Sequence, residues 1–322
     1  MTGLSLENHP IPARAELDAV RSGGVVSVLS HTMALKFSGA DAESFLQGQL
    51  TCDVTGLRSG ATWGAWCSSQ GRMLASFLLW RGDAGFFMAL RSDIAPGVQQ
   101  RIARYVLRAK VAIEPARLAL AGFFGAEAEA ALGAGAALPR APLEAASLGG
   151  DDALIRLDGS RFLLALGADG ADARLLQIGA RLARISASAW DWLDVRRGIP
   201  WVTAATQDRL VPQMANLERI GGVSFTKGCY TGQEIVARAQ HRGTVKRRAF
   251  VANVAAAAAA GDELYAEDLG DQAAGLVVNA ASSPEGGTDV LVSVNAASRE
   301  SSMVHLRSLD GPVLRFFSDP LA

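Results

Sequence analysis

Apolar runs of four to ten residues, broken by short polar turns, organise the first third of the chain. Val25 to Leu29 and Met33 to Phe37 read as strands, the second with alternating burial. Asp41 to Leu50 reads as a short helix, because Ala42, Phe45, Leu46 and the Gln49-Leu50 pair fall near one face. Thr62 to Cys67 and Met73 to Arg81 are apolar runs joined by the polar turn Ser68-Ser69-Gln70-Gly71, which predicts a hairpin. The turn Gly82-Asp83-Ala84-Gly85 leads into a strand from Phe86 to Leu90. Asp93 stands where an N-cap belongs, ahead of a helix to about Leu107 with Val98, Ile102, Tyr105 and Val106 inward. Val111 to Glu114 is a strand stopped by Pro115. This order of strand, helix, paired strands, helix and strand predicts an α+β layer on an antiparallel sheet.

A second such unit begins at Leu118 to Phe123 and continues through a short Ala-rich helix and a loop from Pro139 to Gly150. Leu154 to Leu157 and Phe162 to Leu166 flank Asp158-Gly159-Ser160, a hairpin signal. Asp172 is placed to cap a helix to Ala183, and Ser186 or Ser188 to cap another from Ala189 to Arg197, stopped by Gly198 and Pro200. Arg209 to Ile220 is a further mixed segment ending at Gly221-Gly222. After Arg248 the pattern changes to short strands at close spacing: Phe250 to Val254, Glu263 to Tyr265, Gly275 to Val278, Val290 to Val294, Met303 to Leu306 and Val313 to Phe317. Turns rich in Gly, Asp, Ser and Pro separate them, as in a small β-barrel or sandwich.

Composition narrows the class. At 322 residues the chain is long enough for about two domains. Its 49% hydrophobic and 20% charged residues are those of a protein with a sizeable core. A net charge of −1 supplies no global field toward nucleic acid or an anionic membrane. Three cysteines, Cys52, Cys67 and Cys229, form no C-x-x-C pair, which excludes a disulfide scaffold and a self-contained zinc site and predicts a reducing, cytoplasmic setting. Met1 to Leu17 has no apolar core of a signal peptide, and no run of 18 apolar residues predicts a membrane span.

Candidate chemistry concentrates in Lys227-Gly228-Cys229-Tyr230-Thr231-Gly232-Gln233-Glu234. Thr231 and Glu234 have the spacing of a capping box, and Ile235, Val236 and Ala239 give the helix that follows one apolar face. Cys229 then stands ahead of a helix N-terminus with Lys227 nearby, the conditions that depress a thiol pKa. The alternative is a small buried cysteine that packs a turn.

That run, with the lead-in Val211-Pro212-Gln213-Met214-Ala215-Asn216-Leu217 and Gly221-Gly222-Val223-Ser224-Phe225, resembles the signature of the YgfZ family of folate-binding proteins, relatives of the glycine-cleavage T-protein. Phe45-Leu46-Gln47-Gly48-Gln49-Leu50-Thr51-Cys52-Asp53-Val54 resembles the family's other recurrent block. The resemblance implies a T-protein-like α+β fold: a three-lobed ring of two intertwined, ferredoxin-like α+β lobes (1–245) and a C-terminal β-barrel (246–322) around a central cavity. It implies a tetrahydrofolate-binding, monomeric accessory protein that assembles or repairs iron–sulfur clusters, including those of radical enzymes that thiolate tRNA. Its partners would be iron–sulfur proteins or their assembly factors, with an indirect link to tRNA, no membrane and no resident metal. Cys229 would be the working thiol, with Lys227 and Tyr230 beside it. Trp190, Met33, Arg196, Gln233, Glu234 and Arg238 match or approach folate-associated positions.

Departures from the T-protein pattern count against aminomethyl transfer. Gly71-Arg72-Met73-Leu74-Ala75-Ser76 places Ala75 and Ser76 where the two acids of that enzyme fall, and neither side chain is a base near neutral pH. Arg196, in Val195-Arg196-Arg197-Gly198-Ile199-Pro200, stands at the position of a pterin-binding Glu, and Met33 replaces an aromatic. Whether aminomethyltransferase or another folate-dependent one-carbon transferase activity persists is open on sequence, as is a thiol-bearing interaction protein without folate. Trp190 is either a stacking face or a core anchor. Arg238, Arg242, Lys246, Arg247 and Arg248 are read as a site for folate carboxylates, RNA phosphates or an acidic partner, or as a solvated helix end and strand edge. The histidines, His9, His31, His241 and His305, do not pair at ligand spacing.

Overall fold

The computed structural model describes residues 14–134, 137–241 (of His241 the backbone alone), 245–319 and 321. Helix α1 (Arg14–Ser22) buries Leu17 and Val20 and is followed by β1 (Val25–Val28), β2 (Thr32–Ser38) and α2 (Ala42–Gln49). The predicted hairpin is β3 (Ala61–Cys67) and β4 (Met73–Gly82), whose run from Met73 to Trp80 is buried throughout, as a strand covered on both faces must be. Next come β5 (Gly85–Arg91), α3 (Ala95–Ala103) and β6 (Ala112–Pro115). The second pass gives β7 (Leu118–Phe124), α4 (Ala126–Gly133), β8 (Ala145–Gly149), β9 (Asp152–Asp158), β10 (Arg161–Gly167), α5 (Ala171–Ile178), β11 (Ala183–Ile185) and α6 (Ala187–Arg196). Arg209 to Ile220 contains two short 3-10 turns, Pro212–Ala215 and Leu217–Ile220. Helix α7 (Gln233–His241) precedes β12 (Arg247–Val254), β13 (Glu263–Ala266), β14 (Ala273–Ser282), β15 (Thr288–Asn295), α8 (Ala296–Ser301), β16 (Val304–Leu306) and β17 (Leu314–Phe316).

The chain divides into two compact units, and each is assembled from three separate segments. The first is Met1–Leu46, Val54–Thr62 and Phe77–Trp190; the second is Gln47–Asp53, Trp63–Ser76 and Asp191–Ala322. In the first unit a six-stranded sheet runs β11-β1-β7-β10-β9-β8. Its core gathers Phe123, Leu154, Phe162, Leu164 and Leu166 from the strands with Leu132 of α4 and Leu175 of α5. The same unit also pairs β2 antiparallel to β5 and β6, with Met33 opposite Leu90, and pairs β5 with the end of β4 from Leu78 to Gly82. In the second unit the strands after α7 form a nearly closed, barrel-like sheet, β16-β13-β14-β15-β12-β17. An isolated bridge between His305 and Val313 links its two edges at one point, which shortens the open edges a sheet would otherwise present. Valines and leucines from alternate positions fill it.

Several expectations are corrected. Helix α3 stops at Ala103 and not at Leu107, so Tyr105 is exposed. Its N-cap is Ile94, with Pro96 in the first turn and no side-chain cap from Asp93. Helix α5 ends at Ile178, before Gly179, and Gly170 holds the capping position assigned to Asp172. The loop from Pro139 to Gly150 contains β8, which pairs with β9. Helices α1 and α8 have no counterpart in the expected elements. Ser186 does cap α6: its hydroxyl accepts from the Ala189 amide at 3.3 Å.

Candidate functional site

Two blocks far apart in sequence meet in the second unit. Thr51 lies beside β3: its amide donates to the Ala65 carbonyl at 2.9 Å, and its hydroxyl accepts from the Ala65 amide at 2.8 Å. The same hydroxyl donates to the Gly222 carbonyl at 2.6 Å, and the Thr51 carbonyl accepts from the Ser224 amide at 2.9 Å. Leu50-Thr51-Cys52 is thereby held between the hairpin and the loop that carries the cysteine motif. Lys227 completes the join. Its ammonium donates to the Leu50 and Cys52 carbonyls, each at 2.7 Å, and stands 5.2 Å from the centre of the Tyr230 ring.

The electrostatics follow from that burial. Desolvation pushes the Lys227 ammonium down to about 8, against the opposing pull of Cys52 and Asp53. Burial pushes the Cys52 thiol up to about 12, with Lys227 acting the other way, and pushes Cys67 up to about 12 as well. The buried Tyr230 phenol is raised too, by desolvation first and then by the charge that Cys67 and Cys52 would carry. Cys52, Cys67 and Tyr230 therefore keep their protons near neutral pH. Cys229 differs from the other two cysteines in being exposed.

The capping box is a correction. Helix α7 begins at Gln233, so Gly232 precedes it with φ +82, and Thr231 lies one position too early to cap. A side chain at Gly232 would put its Cβ 2.4 Å from the Ser68 carbonyl oxygen and 2.9 Å from the Gly71 Cα, at the tip of the β3–β4 hairpin. Only glycine satisfies both the left-handed backbone and this approach. Glu234 lies in the first turn of α7, exposed, where its charge suits the helix dipole; Gln233 is half-buried and Arg238 exposed. The buried Gln213 side chain anchors the helix, donating to the Val236 carbonyl at 2.7 Å.

The other expected residues lie elsewhere. Arg196, in the last turn of α6, pairs with the buried Asp289 of β15 at 3.6 Å and lies 3.9 Å over the Phe317 ring. Asp289 also accepts from the Trp192 indole at 2.8 Å and from Asn253 at 2.8 Å. An acid inside the apolar run of β15 is the one sequence signal for this cluster, and sequence reasoning passed over it. Ala75 is fully buried, and the buried Ser76 hydroxyl is committed: it donates to the Pro200 carbonyl at 2.7 Å and accepts from the Val202 amide at 2.8 Å. In the first unit Met33 is half-buried on β2. Trp190 is fully buried flat against Gly122 of β7, where a Cβ would fall 2.6 Å from the ring, and Arg161 lies 5.9 Å from its centre. Of the basic run, Arg248 is bound to Glu218 and the Gln213 carbonyl, and Arg247 donates to the Ala273 carbonyl at 2.7 Å. Lys246 is exposed. Arg242, His9 and the His241 side chain lie outside the described residues.

No family model matches the chain. It is 36% identical over 250 residues to the tRNA-modifying protein YgfZ of Edwardsiella ictaluri (strain 93-146), covering 76% of this chain and 75% of that protein. It is 34% identical over 227 residues to the protein of the same name from Vibrio vulnificus (strain YJ016), covering 70% and 68%. The chain belongs to the YgfZ family. Its fold is that of the glycine cleavage system aminomethyltransferase T from Bartonella henselae: TM-score 0.77 at 17% identity, over 96% of this chain and 89% of that one. The YgfZ membership and the T-protein-like α+β fold both agree with the resemblance carried by the two sequence blocks. Among the described residues no helix is long and apolar enough to cross a membrane.

Proposed function

We propose that this YgfZ-family chain is a monomeric, cytoplasmic, tetrahydrofolate-binding accessory protein for the assembly or repair of iron–sulfur clusters, including those of tRNA-thiolating radical enzymes, with 1–245 as its folate region and 246–322 as its barrel. The observation that carries the reading is the contrast among the cysteines. Cys229 is exposed on a loop held by the Lys227 and Gly232 contacts, while Cys52 and Cys67 are sealed and protonated. An exposed cysteine sulfur is a soft ligand suited to iron or to a sulfur unit, and one cysteine alone serves a shared or transient site, not a resident cluster. Lys227 acts by positioning, since its ammonium is bound to two main-chain carbonyls.

The residues suit a folate in part. Arg196 keeps about a third of its side chain exposed and Arg238 is exposed, so both offer cations for the glutamate carboxylates. Met33 offers a half-buried apolar side chain, whereas Trp190 gives one ring face to Gly122. Aminomethyl transfer is the poorer reading, because the acid positions hold a buried alanine and a hydroxyl already in two hydrogen bonds. The test is complementation of a strain lacking its own family member, read as thiolated tRNA and iron–sulfur enzyme activity, together with calorimetric titration of tetrahydrofolate. The expected result is rescue by the wild type, none by Cys229→Ser, and saturable heat with both proteins. Equal rescue by Cys229→Ser would remove the thiol from the mechanism, and absence of saturable heat would remove the folate.

A further inference from the structure

The turn between α3 and β6 serves neither the core nor the cysteine site. Arg101, Arg104, Tyr105, Leu107, Arg108 and Lys110 are all exposed. No acidic residue occurs between Asp93 and Glu114, so this segment carries four positive charges in a chain of net charge −1. Among the described residues, none of Arg104, Arg108 and Lys110 forms an ion pair.

The turn is built, not loose. The Tyr105 amide donates to the Ile102 carbonyl at 3.0 Å, and the Ala109 amide to the Val106 carbonyl at 2.8 Å. The Lys110 amide donates to the Asp41 carboxylate at 2.7 Å, which fixes the turn to the loop before α2. Within it Leu107 adopts φ +45 and is 88% exposed, and Tyr105 is 44% exposed. A left-handed leucine costs about 1–2 kcal/mol, and burial returns almost nothing here. Folding alone gives no reason for a strained, solvent-facing leucine beside Arg104, Arg108 and Lys110.

We propose that this turn is an RNA-binding surface. Arginine forks and an ammonium fit phosphate oxygens. An exposed tyrosine ring and an apolar side chain between them fit an unpaired base, the usual target of RNA recognition. A membrane surface is the weaker partner, since one leucine and one tyrosine on a turn do not make the apolar face of an interfacial helix. The proposal does not depend on folate or on Cys229. Curated relatives bear the name tRNA-modifying protein, which agrees with direct contact to that class of nucleic acid.

The test is fluorescence anisotropy of labelled, unmodified tRNA with the full chain between 50 and 200 mM salt. The double variant Arg104→Glu/Arg108→Glu is expected to bind at least tenfold more weakly at the low end and to reduce the salt slope by ~1.5. The milder Arg104→Gln/Arg108→Gln variant should fall between it and the wild type. Tyr105→Ser should weaken binding to a single-stranded RNA about fivefold or more. Unchanged thermal midpoints identify these as surface effects. Wild-type failure to bind tRNA, or charge variants that bind within twofold of it, overturns the proposal. So does charge-dependent binding to phosphatidylglycerol vesicles or polyglutamate without a matching effect on tRNA.

Discussion

Two glycines of the cysteine motif, four residues apart, should respond very differently to the same substitution. Gly232→Ala places a methyl group on a backbone at φ +82, which costs about 1–2 kcal/mol by itself. The methyl would also stand 2.4 Å from the Ser68 carbonyl oxygen and 2.9 Å from the Gly71 Cα, both main-chain atoms that cannot rotate aside. Clearing them requires a shift of the hairpin tip, an overpacking cost of about 1–3 kcal/mol. It also strains the Gly71 amide bond to Ser68, 2.9 Å long and contributing about 1 kcal/mol. The total of about 3–6 kcal/mol is a large part of the ~5–15 kcal/mol of a folded protein. It should lower the urea midpoint by about 1 M or more. Gly228→Ala meets nothing within 4 Å, and its φ lies outside the left-handed region, so it should change stability by less than about 0.5 kcal/mol. Tryptophan fluorescence across a urea series reads both variants. Equal midpoints for the two, or a larger loss at Gly228, would refute the packing of Gly232 on the hairpin tip.

Iodoacetamide at pH 8 should modify one thiol per native chain, at Cys229, and all three only in denaturant; peptide mass spectra showing early labelling of Cys52 or Cys67 would contradict their burial. For Lys227, with its ammonium lowered from 10.5 to about 8, the native state binds fewer protons than the unfolded one between those values. The desolvation cost is therefore present in full below pH 8 and relieved as pH rises to 10.5, so wild-type stability should climb relative to Lys227→Met across this window. A difference in urea midpoint that stays flat or falls from pH 7.5 to 10 would contradict it. Ser76→Ala leaves the Pro200 carbonyl and Val202 amide without their partner and should cost about 2–3 kcal/mol by chemical denaturation. A loss below about 0.5 kcal/mol would show that the two groups find other partners.

Strands announced themselves in the sequence wherever tertiary burial and local pattern agree. The runs behind β4 and β10 are apolar at nearly every position, and their burial follows. Where a long-range bond decides, the pattern misleads. Val98, Ile102 and Val106 continue a helical spacing, yet α3 stops at Ala103 and the chain turns to meet Asp41 at Lys110. Strand β8 (Ala145–Gly149) has no β-branched residue and exists because β9 offers it an edge. The cysteine motif was legible as a run of residue types, but the register of its helix was not, since Gly232 rather than Thr231 sets the start. Nor does local spacing reveal that Lys227 reaches carbonyls 177 and 175 residues earlier. Asp289 stands out in sequence only as an acid in an apolar run, because its partners, Trp192, Arg196 and Asn253, come from other parts of the chain.

The division of each unit into three segments bears on how the protein is made. Gln47–Asp53 and Trp63–Ser76 leave the ribosome early, but the rest of their unit, from Asp191 on, follows only after the stretch 77–190 has been translated. At ~5–20 residues per second that is a delay on the order of ten seconds. During it the Thr51 hydroxyl has no Gly222, the Ser76 hydroxyl has no Pro200, and the carbonyls of Leu50 and Cys52 have no Lys227. The apolar hairpin carrying Trp63 and Trp66 waits in the same condition, a natural client for a chaperone. Truncation after Trp190 would make that waiting permanent, so nascent chains stalled there should be captured by holdases while full-length chains escape them.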